Sequence, residues 1–193
     1  MSLSLAELSR ICGIEEHSSP GGHGAAVLSA DGARRYLLTR RWDVGPLMCW
    51  VMLNPSTADA TIDDATITRC VRRARALPLF GGIAAGGLFS LRATGPRELA
   101  RHPDPVGPVN DSFIVRTCQS AGLVVVAWGA HGSRLGRDAD VTALLNRHGI
   151  RPYCLGTTRA GQPRHPGRMA NPAPLVPFDG PGCKTERNMQ AGQ

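Results

Sequence analysis

With 193 residues, 42% of them hydrophobic and 19% charged, the chain has apolar material for one well-filled globular core and too little for two independent ones. No apolar run reaches the roughly 20 residues that a membrane-spanning helix needs, and Met1–Ile14 lacks the basic start and long apolar centre of a signal peptide, so a soluble, cytoplasmic protein with no membrane partner is expected. The net charge of +7 favours a phosphate-bearing partner, nucleic acid or nucleotide, although Lys184 is the only lysine and a compositional bias toward arginine explains the charge equally well.

In chain order, Ser18 to Gly24 reads as loop, and Ala25–Leu28 with Arg35–Thr39 as a hairpin turned at Asp31-Gly32. Leu47–Leu53 is a continuous apolar run suited to a central strand. Asp63–Leu77 has helical periodicity, with Ile67, Cys70, Val71 and Ala74 on one side and Arg69, Arg72, Arg73 and Arg75 elsewhere; Asp63 or Asp64 is placed to cap its start. Gly81–Leu91 reads as a Gly-rich strand closely approached by other backbone, emerging into Arg92-Ala93-Thr94-Gly95-Pro96. Pro108–Ala121 reads as a helix with Val109, Phe113, Ile114 and Cys118 inward, Leu123–Trp128 as a strand, Arg137–Asn146 as a helix and Pro152–Leu155 as a short strand.

Four strands alternating with helices predict an α/β protein, a three-layer α/β/α sandwich around a central, mainly parallel four-stranded sheet. One domain is expected over residues 1–178, with an N-terminal extension and hairpin filling 1–45, and a polar, disordered tail over 179–193. The six cysteines are widely spaced with no Cys-x-x-Cys pair, so buried free thiols are expected, and neither a metal nor another cofactor.

Ligands of open α/β sheets bind beyond the carboxyl ends of the strands, where loops present backbone amides, polar side chains and helix starts together. Here one such exit carries Asn54-Pro55-Ser56-Thr57-Ala58-Asp59, another Arg92–Thr94, and a third Trp128-Gly129 with His131 close behind; the loop Gln162-Pro163-Arg164-His165-Pro166 completes a candidate rim.

Taken in order, Asn54–Asp59, Asp63-Asp64-Ala65-Thr66, Leu88–Thr94, Ala127-Trp128-Gly129 and Gly161–Pro166 resemble the motif series of the bacterial and phage family DUF1643, over roughly residues 33 to 178. Five ordered motifs are far more specific than any one of them. More distantly, Val51–Ser56 is similar to the Gly-x-Asn-Pro-Gly motif of the mismatch-specific branch of the uracil-DNA glycosylase superfamily, Val126–Gly129 to its strand ending in Trp-Gly, and His165-Pro166 to the start of its His-Pro-Ser-Pro loop. Ser56 stands where that motif has Gly, and Gly167-Arg168 where the loop has Ser-Pro. Gly87 stands where DUF1643 relatives usually carry an asparagine similar to the base-reading one of the glycosylases.

The resemblance implies a uracil-DNA-glycosylase-like fold and a metal-independent N-glycosidase for a modified or damaged base, in DNA or in a small nucleoside or nucleotide, without uracil readout. A non-catalytic nucleic-acid or nucleotide binder of the same fold is the alternative. Cleaving a nucleoside C–N bond requires a placed water, support for an oxocarbenium-like sugar, and donors for the departing base. Asn54 is expected to place the water, Asp59 or Asp63 to add a carboxylate, and His165 to donate to the base. Pro55, Ser56, Thr57, Asp64, Thr94, Gly129 and His131 complete the candidate ligand wall, with Arg92, Arg164 and Arg168 as phosphate partners. Ordinary structural roles stand beside these: a turn for Asn54-Pro55, helix caps for the three aspartates, an ion pair with Asp63 or Asp64 for Arg92, and core packing for Trp128 and Phe89 as against stacking on a base.

Overall fold

The computed structural model describes residues 14–168 and 173–182. Strands β1 (Ile14–Ser18), β2 (Gly24–Ser29) and β3 (Arg35–Arg41) form an antiparallel meander. Strands β4 (Leu47–Met52), β5 (Gly82–Gly87), β6 (Leu123–Val126) and β7 (Tyr153–Cys154) pair in parallel, and β8 (Val176–Pro177) closes antiparallel on β7. Helices α1 (Ala65–Arg75), α2 (Pro96–Arg101), α3 (Asn110–Ser120) and α4 (Arg137–Arg147) lie between them. Among the described residues no helix is long and apolar enough to cross a membrane.

All eight strands join one sheet in the order β1-β2-β3-β5-β4-β6-β7-β8. This corrects the expected four-stranded, mainly parallel sheet: the parallel strands are its centre, and antiparallel strands extend both edges. The physical reason lies in β3. Alone, the hairpin would leave Leu38 uncovered and β5 with an open edge; pairing Leu38 with Ala85 and Arg40 with Ile83 buries the first and closes the second. Within the parallel set the order β5-β4-β6-β7 means that the chain steps to one side of β4 and then to the other. That reversal makes the β4/β6 boundary a switch point, where the loops leaving the strand ends diverge and open a crevice.

Side chains alternate along β4. Met48, Trp50 and Met52 pack with Ile67, Cys70 and Ala74 of α1 on one face, while Cys49 and Val51 pack with Ile114 and Cys118 of α3 and Val141 and Leu145 of α4 in a second cluster. A one-residue irregularity interrupts this alternation in β3. Val27 pairs with Leu37 but Leu28 pairs with Arg35, which leaves Tyr36 as an extra residue. Tyr36 and Leu37 therefore both join a small cluster with Phe113, the Tyr36 and Phe113 rings stacking at 5.2 Å, whereas Leu38 packs in the cluster of α1. Arg35, beyond the bulge, turns to the same side as Leu38 and donates from Nη1 to the Ala58 carbonyl at 2.5 Å.

The expected hairpin turn at Asp31-Gly32 is present, with Ser29 donating to Asp31 and Gly32 at φ +67°. Helix α1 starts one residue after Asp64, whose carboxylate caps it, and α3 and α4 fall within two residues of their expected spans. Helix α2 and strand β1 were not apparent from the sequence. Of the expected tail, Asp179–Gly182 are described and contain a turn against Gly161, and residues 183–193 lie outside the described residues.

Candidate functional site

The β4–β5 ladder continues past both strand ends: Leu88 N donates to Met52 O at 2.9 Å and Phe89 N to Leu53 O at 3.0 Å, fixing the chain that enters Asn54-Pro55. The Asn54 amide is then held by its own nitrogen, which donates to Pro55 O at 2.7 Å and to Ala93 O at 2.8 Å. Two carbonyl acceptors leave only one way round for the amide, so Oδ1 is an acceptor with no partner among the described residues. Arg92 braces the same loop through longer contacts to the carbonyl oxygens of Ser56 at 3.4 Å and Thr57 at 3.5 Å, and ties it to the β2–β3 turn through Gly32 O at 3.3 Å. It pairs with neither Asp63 nor Asp64.

Beyond these strand ends lies a cleft of about 750 Å³, a size suited to a small molecule. Met52, Leu53, Asn54 and Ser56 leave β4 into its wall, Asp64, Thr66 and Ile67 bring the start of α1, and Ala93 and Thr94 follow the β5 exit. Trp128, Gly129, Ala130 and His131 come from the β6 exit, Thr158, Arg164 and His165 from the loop after β7, and Arg35 from the start of β3.

The three candidate carboxylates separate by their hydrogen bonds. Asp59 folds back on its own turn, Oδ1 accepting from the amides of Ile62 and Thr61 and from the Thr61 hydroxyl; the two amide bonds hold its pKa below the usual 3.8. Asp63 accepts from Arg40 Nε at 2.7 Å. Neither lines the cleft, and the carboxylate that does is Asp64, whose Oδ1 accepts from Thr66 N at 2.9 Å and Ile67 N at 2.8 Å. Thr94 lines the wall while its amide donates to Glu98 of α2 at 2.8 Å. Pro55, Thr57, Asp59, Asp63, Phe89 and Arg92 stand behind or beside the wall; Phe89 is fully buried in the core. The side chain of Arg168 lies outside the described residues.

Trp128 is 1% exposed and serves as a clamp. Its indole N–H donates to Gln162 Oε1 at 2.7 Å, and Gln162 Nε2 donates to Asp138 Oδ2 at 2.5 Å, joining the β6 exit, the β7 loop and the start of α4. The ring meets Phe178 edge-on at 5.6 Å. Gly129 N donates to Pro163 O at 2.8 Å, and a Cβ on Gly129 would stand 3.3 Å from that of His165, so the two loops lie in close contact. His165 Nδ1 accepts from Gly167 N at 3.1 Å. A neutral imidazole that accepts at Nδ1 carries its proton at Nε2, so the ring is a donor there.

The cleft's most buried charge escaped the sequence reading. Arg35 is 4% exposed, yet it makes no ion pair among the described residues, and its one side-chain hydrogen bond is the one to Ala58 O. Burial pushes its pKa down to about 10, with Asp64 opposing that fall and Arg92 and Arg40 adding to it, so the group remains cationic at neutral pH. The only sequence signal is an arginine directly ahead of the apolar run Tyr36-Leu37-Leu38. Thr66 and Thr158 also line the wall; Thr66 belongs to the Asp63-Asp64-Ala65-Thr66 motif, and no sequence signal marks Thr158. Among the described residues no group of three or more His, Cys, Asp or Glu side chains is placed to hold a metal ion.

Neither a curated protein nor a solved structure matches the chain. The family model described as a protein of unknown function, DUF1643, matches residues 35–167, more than half of the chain and a span that runs from Arg35 to the turn after His165. The chain belongs to the DUF1643 family.

Proposed function

We propose that the protein takes a nucleoside or nucleotide into this cleft and hydrolyses its N-glycosidic bond, on a three-layer α/β/α fold similar to that of the uracil-DNA glycosylases. The observation that carries the reading is the Asn54 amide. With its N–H₂ consumed by two backbone carbonyls, Oδ1 is a rigid acceptor on the cleft wall, suited to orient an attacking water by position rather than by taking its proton. His165 on the same wall is the residue proposed to donate to the nitrogen or oxygen of the departing base, where negative charge develops. Asp64 is the carboxylate within the cleft, in place of Asp59 and Asp63, and its field favours the cationic sugar of the transition state. A damaged base in DNA would meet Arg164 and also Arg69, which stands beside the His165–Gly167 turn, as cations for the flanking phosphates.

A second reading, a non-catalytic nucleotide or nucleic-acid binder, is favoured by one observation: Asp64 Oδ1 is engaged in capping α1, and an amide is no general base. Wild type and Asn54→Ala are incubated with oligonucleotides carrying uracil, hypoxanthine, mismatched and alkylated bases, and with free nucleotides, and released base is scored by mass spectrometry. Release by wild type that falls on the order of 10²-fold in the folded variant is the expected result. No release from any substrate, with binding retained by both proteins, rejects the glycosidase and leaves the binder.

A further inference from the structure

Arg35 has no task in the chemistry proposed for Asn54 and His165, and its surroundings do not account for it. Arginine is rarely buried unless paired, because desolvating the cation is costly and its five N–H donors need acceptors. Here only Nη1 is engaged, by the Ala58 carbonyl. Nε and Nη2 make no hydrogen bond among the described residues. Among the described residues the sealed side-chain atoms without partners are Trp50 Nε1, Asn110 Oδ1, Thr117 Oγ1 and Arg134 Nε, and neither Arg35 nitrogen is one of them. Since Arg35 lines the cleft and is otherwise enclosed, these two donors meet the cleft's open space.

The free edge is itself informative. Nε–H and the adjacent Nη2–H point in parallel, the side-on fork that matches two oxygens of one phosphate or carboxylate group; a single base carbonyl satisfies only one of them well. Ser56 and Thr66, whose hydroxyls have no partner among the described residues, line the same cleft. The α1 amides that would otherwise attract an anion are already taken by Asp64, so the helix start does not compete for the role. We infer that Arg35 is an oxyanion anchor inside the cleft, and that the ligand is a nucleotide whose phosphate docks on its Nε and Nη2. The nucleotide part rests on the function proposed above; the anchor rests on Arg35.

Binding is measured by calorimetry, without turnover, for nucleoside 5′-monophosphates, the matching nucleosides, inorganic phosphate, and a single-stranded oligonucleotide lacking terminal phosphate. The proteins are wild type, Arg35→Gln, Arg35→Lys and the surface control Arg151→Gln, an exposed arginine ahead of β7 that does not line the cleft. Wild type is expected to bind monophosphate at least tenfold more tightly than nucleoside, a preference that Arg35→Gln abolishes, Arg35→Lys reduces and Arg151→Gln keeps. Oligonucleotide binding that depends on Arg35 to the same extent supports the anchor and assigns its phosphate to a nucleic-acid backbone. No phosphate preference in wild type, or a preference that survives in folded Arg35→Gln, overturns the inference. Should Arg35→Gln not fold, the arginine Nε–H resonances decide: inorganic phosphate shifts one that is present in Arg151→Gln and absent from Arg35→Lys, and no such shift overturns the anchor. Phosphate-dependent binding without base release keeps the anchor and rejects the hydrolase, whereas base release without phosphate preference does the reverse.

Discussion

Gly87 ends β5 beside the chain that positions Asn54, and it tolerates no side chain. An ideal Cβ there lies 2.7 Å from Phe89 O, 3.0 Å from Leu53 O and 3.1 Å from Asn54 Cα, all backbone atoms. No rotamer change relieves such contacts, and Leu53 O already accepts the ladder bond from Phe89 N, so an added carbon has to displace the β4 exit itself. Overpacking of a well-filled core by a methyl group costs about 1–3 kcal/mol, and the rigidity of these three neighbours places Gly87→Ala at the upper end, about 3 kcal/mol. For a domain of this size each kcal/mol lowers Tm by roughly 2–4 °C, so a fall of about 6–12 °C is expected. Thermal and urea unfolding followed by tryptophan fluorescence measure it, and the amide resonances of Asn54 and Ala93 report whether the loop moves. A Gly87→Ala protein within ~0.5 kcal/mol of wild type, the scatter of neutral surface changes, would refute the reasoning. Gly87→Asn meets the same obstruction and is expected to be at least as destabilised, so an asparagine in this place requires a differently set β4 exit.

The Trp128–Gln162–Asp138 relay predicts that Gln162→Leu costs about 2–4 kcal/mol in urea unfolding, since an indole N–H loses its acceptor and a buried carboxylate loses a donor. Gln162→Glu sets two carboxylates together, raising a folded-state pKa; its stability should therefore recover as pH falls, opposite to the trend expected of a paired carboxylate. Asp59 has a depressed folded pKa, so its contribution is complete above the ordinary value of 3.8 and is lost as pH falls through the folded value; Asp59→Asn should show a flatter acid limb in unfolding midpoints. The hydrogen bond between Cys49 and Cys118 at 3.7 Å, with burial, pushes the Cys49 thiol up, and burial raises Cys70 and Cys154. Maleimide labelling mapped by mass spectrometry should spare all four residues in the native protein and reach them after unfolding.

Long apolar runs and helical periodicity made the parallel strands, α1, α3 and α4 legible, because burial on one or two faces writes itself into residue spacing. Strand β1, Ile-Glu-Glu-His-Ser, is almost wholly exposed and leaves no such trace, and six-residue α2 is too short to show a period. Pairing of β3 with β5 joins segments far apart in the chain, and nothing local marks it. The site divides along the same line. Asn54, Trp128 and His165 sit directly at strand exits or in a marked loop, so their place on the rim could be read. Asp59, Asp63 and Asp64 lie too close together for sequence to decide which turn, arginine or helix start each serves. Arg35 reaches the cleft through a non-local strand pairing and a bulge that changes which face it occupies; no local pattern carries either.

That division has a consequence for folding. The amide and the imidazole of the cleft are carried by the parallel core, whereas the guanidinium arrives on an edge meander whose β3–β5 contacts close a long loop. A conformer with the core complete and the meander detached therefore has most of the cleft and not its cation. Any ligand engaged by Arg35 binds the docked form alone, and at a hundredfold excess over Kd contributes ~2.7 kcal/mol to docking by mass action. The cleft thus acts as a clasp between two parts of one sheet, and its occupancy should register as slower amide hydrogen exchange along β2 and β3, on the side of the sheet remote from Asn54 and His165.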